Sequence, residues 1–256
     1  IVTYSREMLA RLVYPVTNPA FPYVFAKGYY PRIADGSLNG RVTRLLVTPL
    51  LLALEKTIGH QPYLDYLKGF RYPLAGEFAM RTHILPDIRI PWDWGLEIGV
   101  LSELWRNYSN NAICQVDISD AYDHKHQPLS QEDAQQGLSR MSTDICKTVF
   151  RKLATDGVTF SQETLRTVKA AYFRTALDLV ETYHNDARMN GLSTDRHKEE
   201  QAVELFATNL TEAGNAFLET PDATPLMPRW NRVLSALPDV LDEMQAAVAA
   251  DMAEYG

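Results

Sequence analysis

The chain has 256 residues, of which 46% are hydrophobic, and its 25 basic against 32 acidic side chains give a formal net charge of −7 at pH 7. This acidic excess would repel a polyanion, so we expect no nucleic acid partner. The longest apolar run, residues 45–54, is shorter than the roughly 20 residues that span a bilayer, which predicts no membrane segment. Cys114 and Cys146 indicate buried thiols and not a disulfide framework, as expected for a cytoplasmic protein.

The character of the chain changes near residue 129. Before that point, short apolar runs at residues 23–25, 70–74 and 113–118 alternate with Pro, Gly and aromatic residues, which predicts strands within a mixed α and β region. Beyond it, the apolar residues recur at steps of three and four, as in helices. We therefore predict two parts, residues 1–129 and residues 130–256.

The first candidate binding segment is residues 39–44, Asn-Gly-Arg-Val-Thr-Arg, which precedes an apolar helical run. Asn39 is placed to cap the start of that helix. The free amides of the first turn, together with Arg41, Arg44 and the Thr43 hydroxyl, would then bind a phosphate or a carboxylate. The alternative interpretation is that both arginines are ordinary surface charges.

Two glycine-containing segments follow, at residues 73–78 and 94–99. The first ends in a small-residue turn, where Gly76 allows the backbone to approach a ligand closely. In the second, Glu97 is the sole charged group at the buried start of a helix, and such a carboxylate must be paired or hydrogen-bonded. The sequence leaves open whether Glu97 has a structural or a functional role.

Residues 115–127, QVDISDAYDHKHQ, place three carboxylates and two imidazoles where a predicted strand emerges into a loop. Strand ends are where open α/β sheets bind their ligands. Carboxylates suit Mg²⁺ or Mn²⁺, and a neighbouring imidazole favours Mn²⁺. The segment predicts a divalent cation site, with a solvated acidic loop as the alternative. The side chains concerned are Asp117, Asp120, Asp123, His124 and His126.

The remainder of the chain has capping and stop signals for several amphipathic helices. The predicted helices cover residues 130–157, residues 161–190, a stretch from about residue 194, and a last stretch beyond Pro228 that is kinked or restarted at Pro238. Their apolar stripes exceed what one small sheet needs to cover. This excess favours a homodimer interface in the helical part.

Four segments, in this order, resemble the retaining glucosyl-3-phosphoglycerate synthases and the related mannosyl and glucosylglycerate enzymes: GRVTRLLVTPLL, PLAGEFA, DWGLEIGVL and QVDISDAYDHKHQPLS. The resemblance covers about residues 1–130. It implies an α/β fold class, the C-terminal part of a GT-A (Rossmann-like) glycosyltransferase domain followed by a helical C-terminal region. Residues 1–129 would be the acceptor- and metal-binding half of the GT-A domain, and residues 130–256 a helical C-terminal extension.

The resemblance also implies a reaction. A hexose, glucose in the first place, would pass from UDP-glucose or a GDP sugar to the 2-hydroxyl of 3-phosphoglycerate or glycerate, with retention at the anomeric carbon. Mg²⁺ or Mn²⁺ would assist, because charge accumulates on the nucleoside diphosphate as the glycosidic bond breaks.

Roles follow from the same resemblance. His124 is expected to ligate the metal together with an Asp-x-Asp motif, and Glu97 is the expected catalytic or sugar-orienting carboxylate. The residues expected to bind the acceptor are Gly40, Arg41, Val42, Thr43 and His126. The residues expected to bind the donor sugar are Leu74, Ala75, Gly76, Trp94, Gly95 and Leu96.

The chain departs from the family pattern in two places. We expect the nucleotide-binding half of the domain, with its Asp-x-Asp motif, to precede the segment that begins at Ile1. Mycobacterial-type members carry Asn and Arg where this chain has His126 and Gln127, which keeps free glycerate open as the acceptor. The alternative function is a truncated, non-catalytic binding or oligomerisation module derived from such an enzyme.

Overall fold

A computed structural model of the protein describes residues 4–120, 137–223 and 225–255. In these residues the helices are α1 (Arg6–Thr17), α2 (Thr48–Ile58), α3 (Pro62–Lys68), α4 (Leu96–Asn107), α5 (Gly137–Thr155), α6 (Gln162–Met189), α7 (Arg196–Glu219), α8 (Trp230–Ala236) and α9 (Val240–Tyr255). The strands are β1 (Phe25–Tyr29), β2 (Ile33–Ala34), β3 (Ser37–Leu38), β4 (Phe78–Met80) and β5 (Ile113–Asp117). A π-helical segment, Val42–Val47, runs directly into α2.

The main sheet has three strands in the order β4-β1-β5, with β1 antiparallel to β4 and parallel to β5. Four of the five residues of β1 are buried, as expected for a central strand. Tyr29 lies opposite Asp117, so β1 and β5 end at the same edge of the sheet. A second, two-stranded sheet joins β2 and β3.

The helical part packs onto the mixed part through α2. Helix α6 lies against α2, and α7 lies against both α5 and α6. The Tyr172 hydroxyl of α6 donates a hydrogen bond to the Leu45 carbonyl at 2.6 Å. One continuous apolar core includes residues from both parts, such as Phe25 and Phe206. The division of the chain at residue 129 stays a prediction.

Several predicted elements are confirmed. Ser161 caps α6 by accepting from the Thr164 amide, and Asn190 follows the last residue of that helix. Strand β5 covers most of the predicted run at residues 113–118, and α8 and α9 are separate helices on either side of Pro238. These signals are local in sequence, which is why the pattern alone located them.

The predicted strand at residues 70–74 is wrong, because this segment forms turns. The side chain of Gln115 forms hydrogen bonds with the backbone at the start of this segment. The amide of Arg71 donates to Gln115 Oε1 at 2.8 Å, and Gln115 Nε2 donates to the Gly69 carbonyl at 2.8 Å. The predicted strand at residues 23–25 is displaced, since β1 begins at Phe25.

Among the helices in the described ranges, none combines the length and the apolar character that crossing a membrane requires.

Candidate functional site

A cavity of about 460 Å³ lies between the loop before the π-helical segment, the turn before β4, the start of α4 and one face of α5. Three segments that the sequence identified separately meet there. The predicted site residues that line it are Gly40, Arg41, Val42, Thr43, Leu74, Gly76, Trp94 and Glu97. The predicted acceptor segment and the predicted catalytic carboxylate therefore share one cavity.

Three other predicted donor residues adjoin the cavity without appearing in its lining. Ala75 is fully buried beneath the turn. Gly95 precedes α4 with its amide donating to Asp93 Oδ1 at 2.9 Å, and a Cβ there would lie 2.2 Å from Thr148 Oγ1. Leu96 packs against the apolar core. Their donor roles stay predictions.

The loop at residues 39–41 takes its shape from Gly40, which has a φ of +80°. A left-handed residue at this point delays the helix, so that the residue preceding its first turn is Arg41, without a side-chain cap. The predicted capping by Asn39 is therefore wrong. Its amide instead donates to the Arg32 carbonyl at 2.7 Å, which holds the loop against the chain before β2.

The prediction that Arg44 contributes to an anion site is wrong. Its guanidinium is buried, lies 2.5 Å from the Glu199 carboxylate of α7, and donates to the carbonyls of Asn39 at 2.9 Å and Leu38 at 3.3 Å. This neutralised group supports the loop from behind. Arg41, by contrast, remains at the cavity, where its cation is available to an anionic ligand.

Glu97 lies in the first turn of α4, where the helix dipole favours a negative charge. Burial raises the pKa of its carboxyl above the ordinary value, while its own backbone amide and the positive charge of Lys27 act in the opposite direction. A Cβ built on Gly76 would lie 3.9 Å from Glu97 Oε1, so the turn comes close to this carboxylate. Glu97 is thus a cavity-lining acceptor.

Sequence reasoning missed two charged groups near the cavity, Lys27 and Glu77. Lys27 is 1% exposed, and its Nζ donates to the Ala75 carbonyl at 2.6 Å. Glu77 is 7% exposed and accepts from the hydroxyls of Tyr30, at 3.0 Å, and of Tyr4. The available signal was that Lys27 is the sole charged residue from position 12 to position 31.

Arg32 was also missed. It lines the cavity beside Arg41, and its Nη1 donates to the Tyr72 hydroxyl at 2.7 Å. The lining of the cavity thus includes two guanidinium groups together with the carboxylates of Glu77 and Glu97. Such a site can bind a small anion and, beside it, a polyhydroxylated group that donates hydrogen bonds to carboxylates.

The predicted metal ligand His124 and the predicted acceptor residue His126 lie outside the described residues, as does Asp123. Asp117, at the end of β5, is described, and its carboxylate lies 2.7 Å from Arg71 Nη2. The metal assignment to His124 therefore stays a prediction.

Within residues 4–120, 137–223 and 225–255, one group of side chains has the spacing of a metal site: Glu55, His60 and Asp65. The ammonium of Lys68 lies 2.8 Å from the carboxylates of both Glu55 and Asp65 and already forms an ion pair with each of them. None of these residues lines the cavity. The group does not fit the divalent cation that the reaction would use.

No protein-family model matches the chain. Over 251 residues it is 46% identical to a glucosyl-3-phosphoglycerate synthase from Persephonella marina, a match that covers 98% of this chain and 62% of that protein. The crystal structure of mannosyl-3-phosphoglycerate synthase from Rubrobacter xylanophilus has a TM-score of 0.50 and 26% identity, over 62% of this chain and 45% of that one. This likeness confirms the predicted fold class, α/β with a helical C-terminal region.

A glucosyl-3-phosphoglycerate synthase from Mycobacterium tuberculosis, crystallised with Mn²⁺, UDP-glucose and phosphoglyceric acid, has a TM-score of 0.46 and 26% identity, over 60% of this chain and 45% of that one. The chain spans about three-fifths of the length of the Persephonella relative. At 46% identity over nearly all of its residues, the chain is similar to the glucosyl-3-phosphoglycerate synthases over that part of their length.

Proposed function

We propose that the protein containing this chain is a glycosyltransferase that moves a hexose, glucose in the first place, from a nucleotide sugar to 3-phosphoglycerate or glycerate with retention at the anomeric carbon. The observation that carries the proposal is the single cavity lined by both Arg41 and Glu97. An acceptor anion is bound by a positive charge, whereas a sugar hydroxyl can donate to a carboxylate, and the lining of this cavity supplies both groups.

Arg41 is the proposed clamp for the phosphate or carboxylate of the acceptor, with Gly40, Val42 and Thr43 completing the loop. Arg32 adds a second positive charge in the same cavity. A guanidinium group binds a planar carboxylate or a phosphate through two parallel hydrogen bonds. Two such groups favour a phosphorylated acceptor over free glycerate.

Glu97 is the proposed sugar-facing carboxylate. It can accept hydrogen bonds from hydroxyls of the transferred hexose and stabilise positive charge that develops at the anomeric carbon. The turn at Leu74, Ala75 and Gly76 and the segment of Trp94, Gly95 and Leu96 are the proposed walls of the sugar site. Because Gly76 has no side chain, the turn leaves room beside Glu97.

His124 is the proposed ligand of Mg²⁺ or Mn²⁺, and UDP-glucose or a GDP sugar the proposed donor, both on the basis of the sequence resemblance. When bound, the cation would neutralise charge on the departing nucleoside diphosphate. The free thiols Cys114 and Cys146 support a cytoplasmic setting for the protein.

A homodimer is also proposed. Its support is a row of solvent-exposed apolar residues on α9, Leu241, Met244, Val248 and Met252, with Leu237 just before that helix.

The test is turnover by the full-length protein with UDP-glucose or GDP-glucose, Mn²⁺, and either 3-phosphoglycerate or D-glycerate. We expect release of the nucleoside diphosphate only when an acceptor is present. Proton NMR of the product should show the anomeric configuration of the donor sugar, which establishes retention. Saturable nucleotide-sugar binding without turnover for any donor and acceptor pair would contradict the proposal and favour a non-catalytic binding module.

Two variants separate the proposed roles. Arg41→Ala should raise the KM for the acceptor about 10-fold to 100-fold, because a charge-assisted hydrogen bond contributes about 1.5–3 kcal/mol. Glu97→Gln should lower kcat about 100-fold or more, the order found when one charge-stabilising group is removed. The controls are Arg174→Ala and Glu204→Gln, which alter exposed residues on α6 and α7.

A further inference from the structure

Lys27 is a buried cation to which the proposed reaction gives no role. It lies in β1, between β4 and β5, and is 1% exposed. Its Nζ donates to the Ala75 carbonyl at 2.6 Å and lies 5.5 Å from the centre of the Phe78 ring. A buried ammonium group is costly, so a residue of this kind needs compensating charge nearby.

The neighbours of Lys27 along the chain fasten the same turn. The amide of Gly28 donates to the Glu77 carbonyl at 2.7 Å, and the Tyr30 hydroxyl donates to Glu77 Oε2 at 3.0 Å. Together with the bond from Lys27 to Ala75, these contacts attach residues 75–77 to the sheet at three points. The turn that meets Glu97 is therefore positioned by the end of β1.

The compensating charge comes from two carboxylates. Glu97 and Glu77 both attract the Lys27 ammonium, but burial outweighs them and lowers the pKa of Lys27 to about 8. In return, the positive charge of Lys27 opposes the rise that burial produces in the pKa of Glu97. The three groups form one electrostatic unit of two acids and one base.

We propose that Lys27 is a positioning residue of this site: its ammonium group ties the turn at residues 75–77 to the sheet and offers a buried positive charge to the carboxylates of Glu97 and Glu77. The inference rests on the proposed function only where it concerns the effect of Lys27 on turnover. The electrostatic coupling itself is a property of the protein without substrate.

Other groups face Glu97 as well. Glu77 raises the pKa of Glu97, and the charge of Glu97 in turn acts on the Tyr72 hydroxyl. The remaining titratable or charged residues that line the same cavity are Tyr4, Arg32 and Arg41. The guanidinium groups of Arg32 and Arg41 lie at the cavity and are partly exposed. Lys27 is buried beneath the turn, where its charge is less screened by solvent.

The first test measures the titration of the Glu97 carboxyl carbon by ¹³C NMR in the full-length protein without ligands, with the resonance assigned by its loss in Glu97→Gln. Lys27→Met should move this titration to higher pH, because the carboxylate loses its buried counter-charge. Lys198→Met is the matched control, since Lys198 is exposed on α7 and pairs with Asp195. It should leave the titration unchanged.

The second test needs no change at Lys27 and covers the case in which Lys27→Met does not fold. The Cε resonance of Lys27 should titrate near pH 8 in the unmodified protein. In Glu97→Gln it should titrate at lower pH, because one attracting carboxylate is gone and coupled groups affect each other reciprocally. Glu204→Gln, on the exposed face of α7, should have no effect on it.

The third test concerns turnover. Lys27→Met should move the acid limb of the kcat profile to higher pH, with about a tenfold loss on the acid side for each pH unit of displacement. Lys27→Arg should restore the acid limb. It should also remove the decline near pH 8 that deprotonation of Lys27 would cause, because Arg stays charged there.

The outcomes separate the two proposals. Displaced NMR titrations in a protein without transferase activity would retain the role of Lys27 and reject the proposed function. The role of Lys27 would be overturned, whatever the activity, if the Glu97 titration is unchanged in Lys27→Met and the Lys27 titration is unchanged in Glu97→Gln. An acid limb that Lys27→Met leaves in place, in an active and folded enzyme, would overturn it as well.

Discussion

Gly28 and Gly76 both adjoin the turn at residues 75–77, but a side chain at each would meet different surroundings. A Cβ on Gly28 would lie 2.9 Å from the Glu77 carbonyl oxygen, closer than atoms can approach without displacement of the backbone. A Cβ on Gly76 would lie 3.9 Å from Glu97 Oε1, an ordinary contact distance. Gly28 is required for the attachment of the turn, whereas Gly76 provides space in the cavity.

This difference predicts the effect of the same substitution at the two positions. Gly28→Ala should lower the free energy of unfolding by about 1–3 kcal/mol, the usual cost of overpacking. Gly76→Ala should change it by less than about 1 kcal/mol. Urea denaturation measures both. Equal losses at the two positions would contradict the close approach of β1 to the turn.

Residue patterns predicted one member of the Lys27, Glu77 and Glu97 group well. Glu97 is conspicuous because it is the sole charge at the start of an apolar helix. Lys27 was equally isolated in its own segment, but its partner Ala75 is 48 residues away, and nothing local identifies that contact. A buried charge is visible in a sequence, while its counter-charge is not.

Helices α6 and α7 of the helical part support the proposed acceptor loop at residues 39–43. Arg44, at the start of the helical run, extends its guanidinium to Glu199 of α7 and lies 5.0 Å from the Tyr183 ring of α6. The same guanidinium holds the carbonyls of Leu38 and Asn39, directly before Gly40. Helices α6 and α7 thus act on the loop through one side chain.

A double-mutant cycle at Arg44 and Glu199 tests this brace. Glu199→Leu should lower the free energy of unfolding by about 3–5 kcal/mol, because it leaves a buried charge without its partner. Adding Arg44→Leu should recover part of that loss, so the two effects are not additive. Thermal and urea unfolding measure the coupling, and the KM for the acceptor should rise in both single variants.

The matched control for this cycle is the exposed pair Arg196 and Glu200, which stands at 2.9 Å on the same helix. Its coupling should be about 0.3–0.5 kcal/mol, as for surface pairs one helical turn apart. A coupling at Arg44 and Glu199 no larger than this would show that α7 does not brace the loop.

At the scale of the whole molecule, the arm formed by α8 and α9 differs from the rest of the structure. Every described side chain of α9 except Val240 is exposed. Apolar residues nevertheless recur along α9 at steps of three, four and four, which is the spacing of a helix that packs against another helix, and one more apolar residue lies just before α9. They are Leu237, Leu241, Met244, Val248 and Met252, each between 47% and 71% exposed.

This stripe reads nearly the same in both directions. If two copies of α9 align antiparallel, Leu241 stands opposite Val248, and Met244 lies close to its own counterpart. A two-fold symmetric interface requires this kind of self-complementarity. A second copy of the chain is therefore the proposed occupant of the stripe.

The prediction is that the full-length protein is a dimer and that the double variant Leu241→Asp, Val248→Asp is a monomer, because four carboxylates would be buried at the interface. Sedimentation equilibrium measures the mass. Ala246→Asp adds a charge to the opposite face of α9 and should leave the dimer intact. A monomeric unmodified protein, or a dimer that tolerates the double substitution, would contradict this interface.

The amino-acid sequence by itself determined several elements, among them β5, α6 and α9, and the identity of part of the candidate groups, among them Arg41 and Glu97. Each of these features is a pattern that spans only a few residues. Examples are the helix start at Ser161, the restart at Pro238 and the segments that contain Arg41 and Glu97. Local patterns report backbone preference and amphipathicity, which do not depend on the rest of the chain.

Only the tertiary structure decided which of these groups act together. It brought Arg41 and Glu97 to one cavity, set Lys27 beneath the turn at Ala75, and turned Arg44 away from the anion site toward Glu199, a partner 155 residues along the chain. The physical reason is that a buried charge is neutralised by whatever the fold places beside it. Contacts across such separations are set by packing of the whole core and leave no signal in a short stretch of sequence.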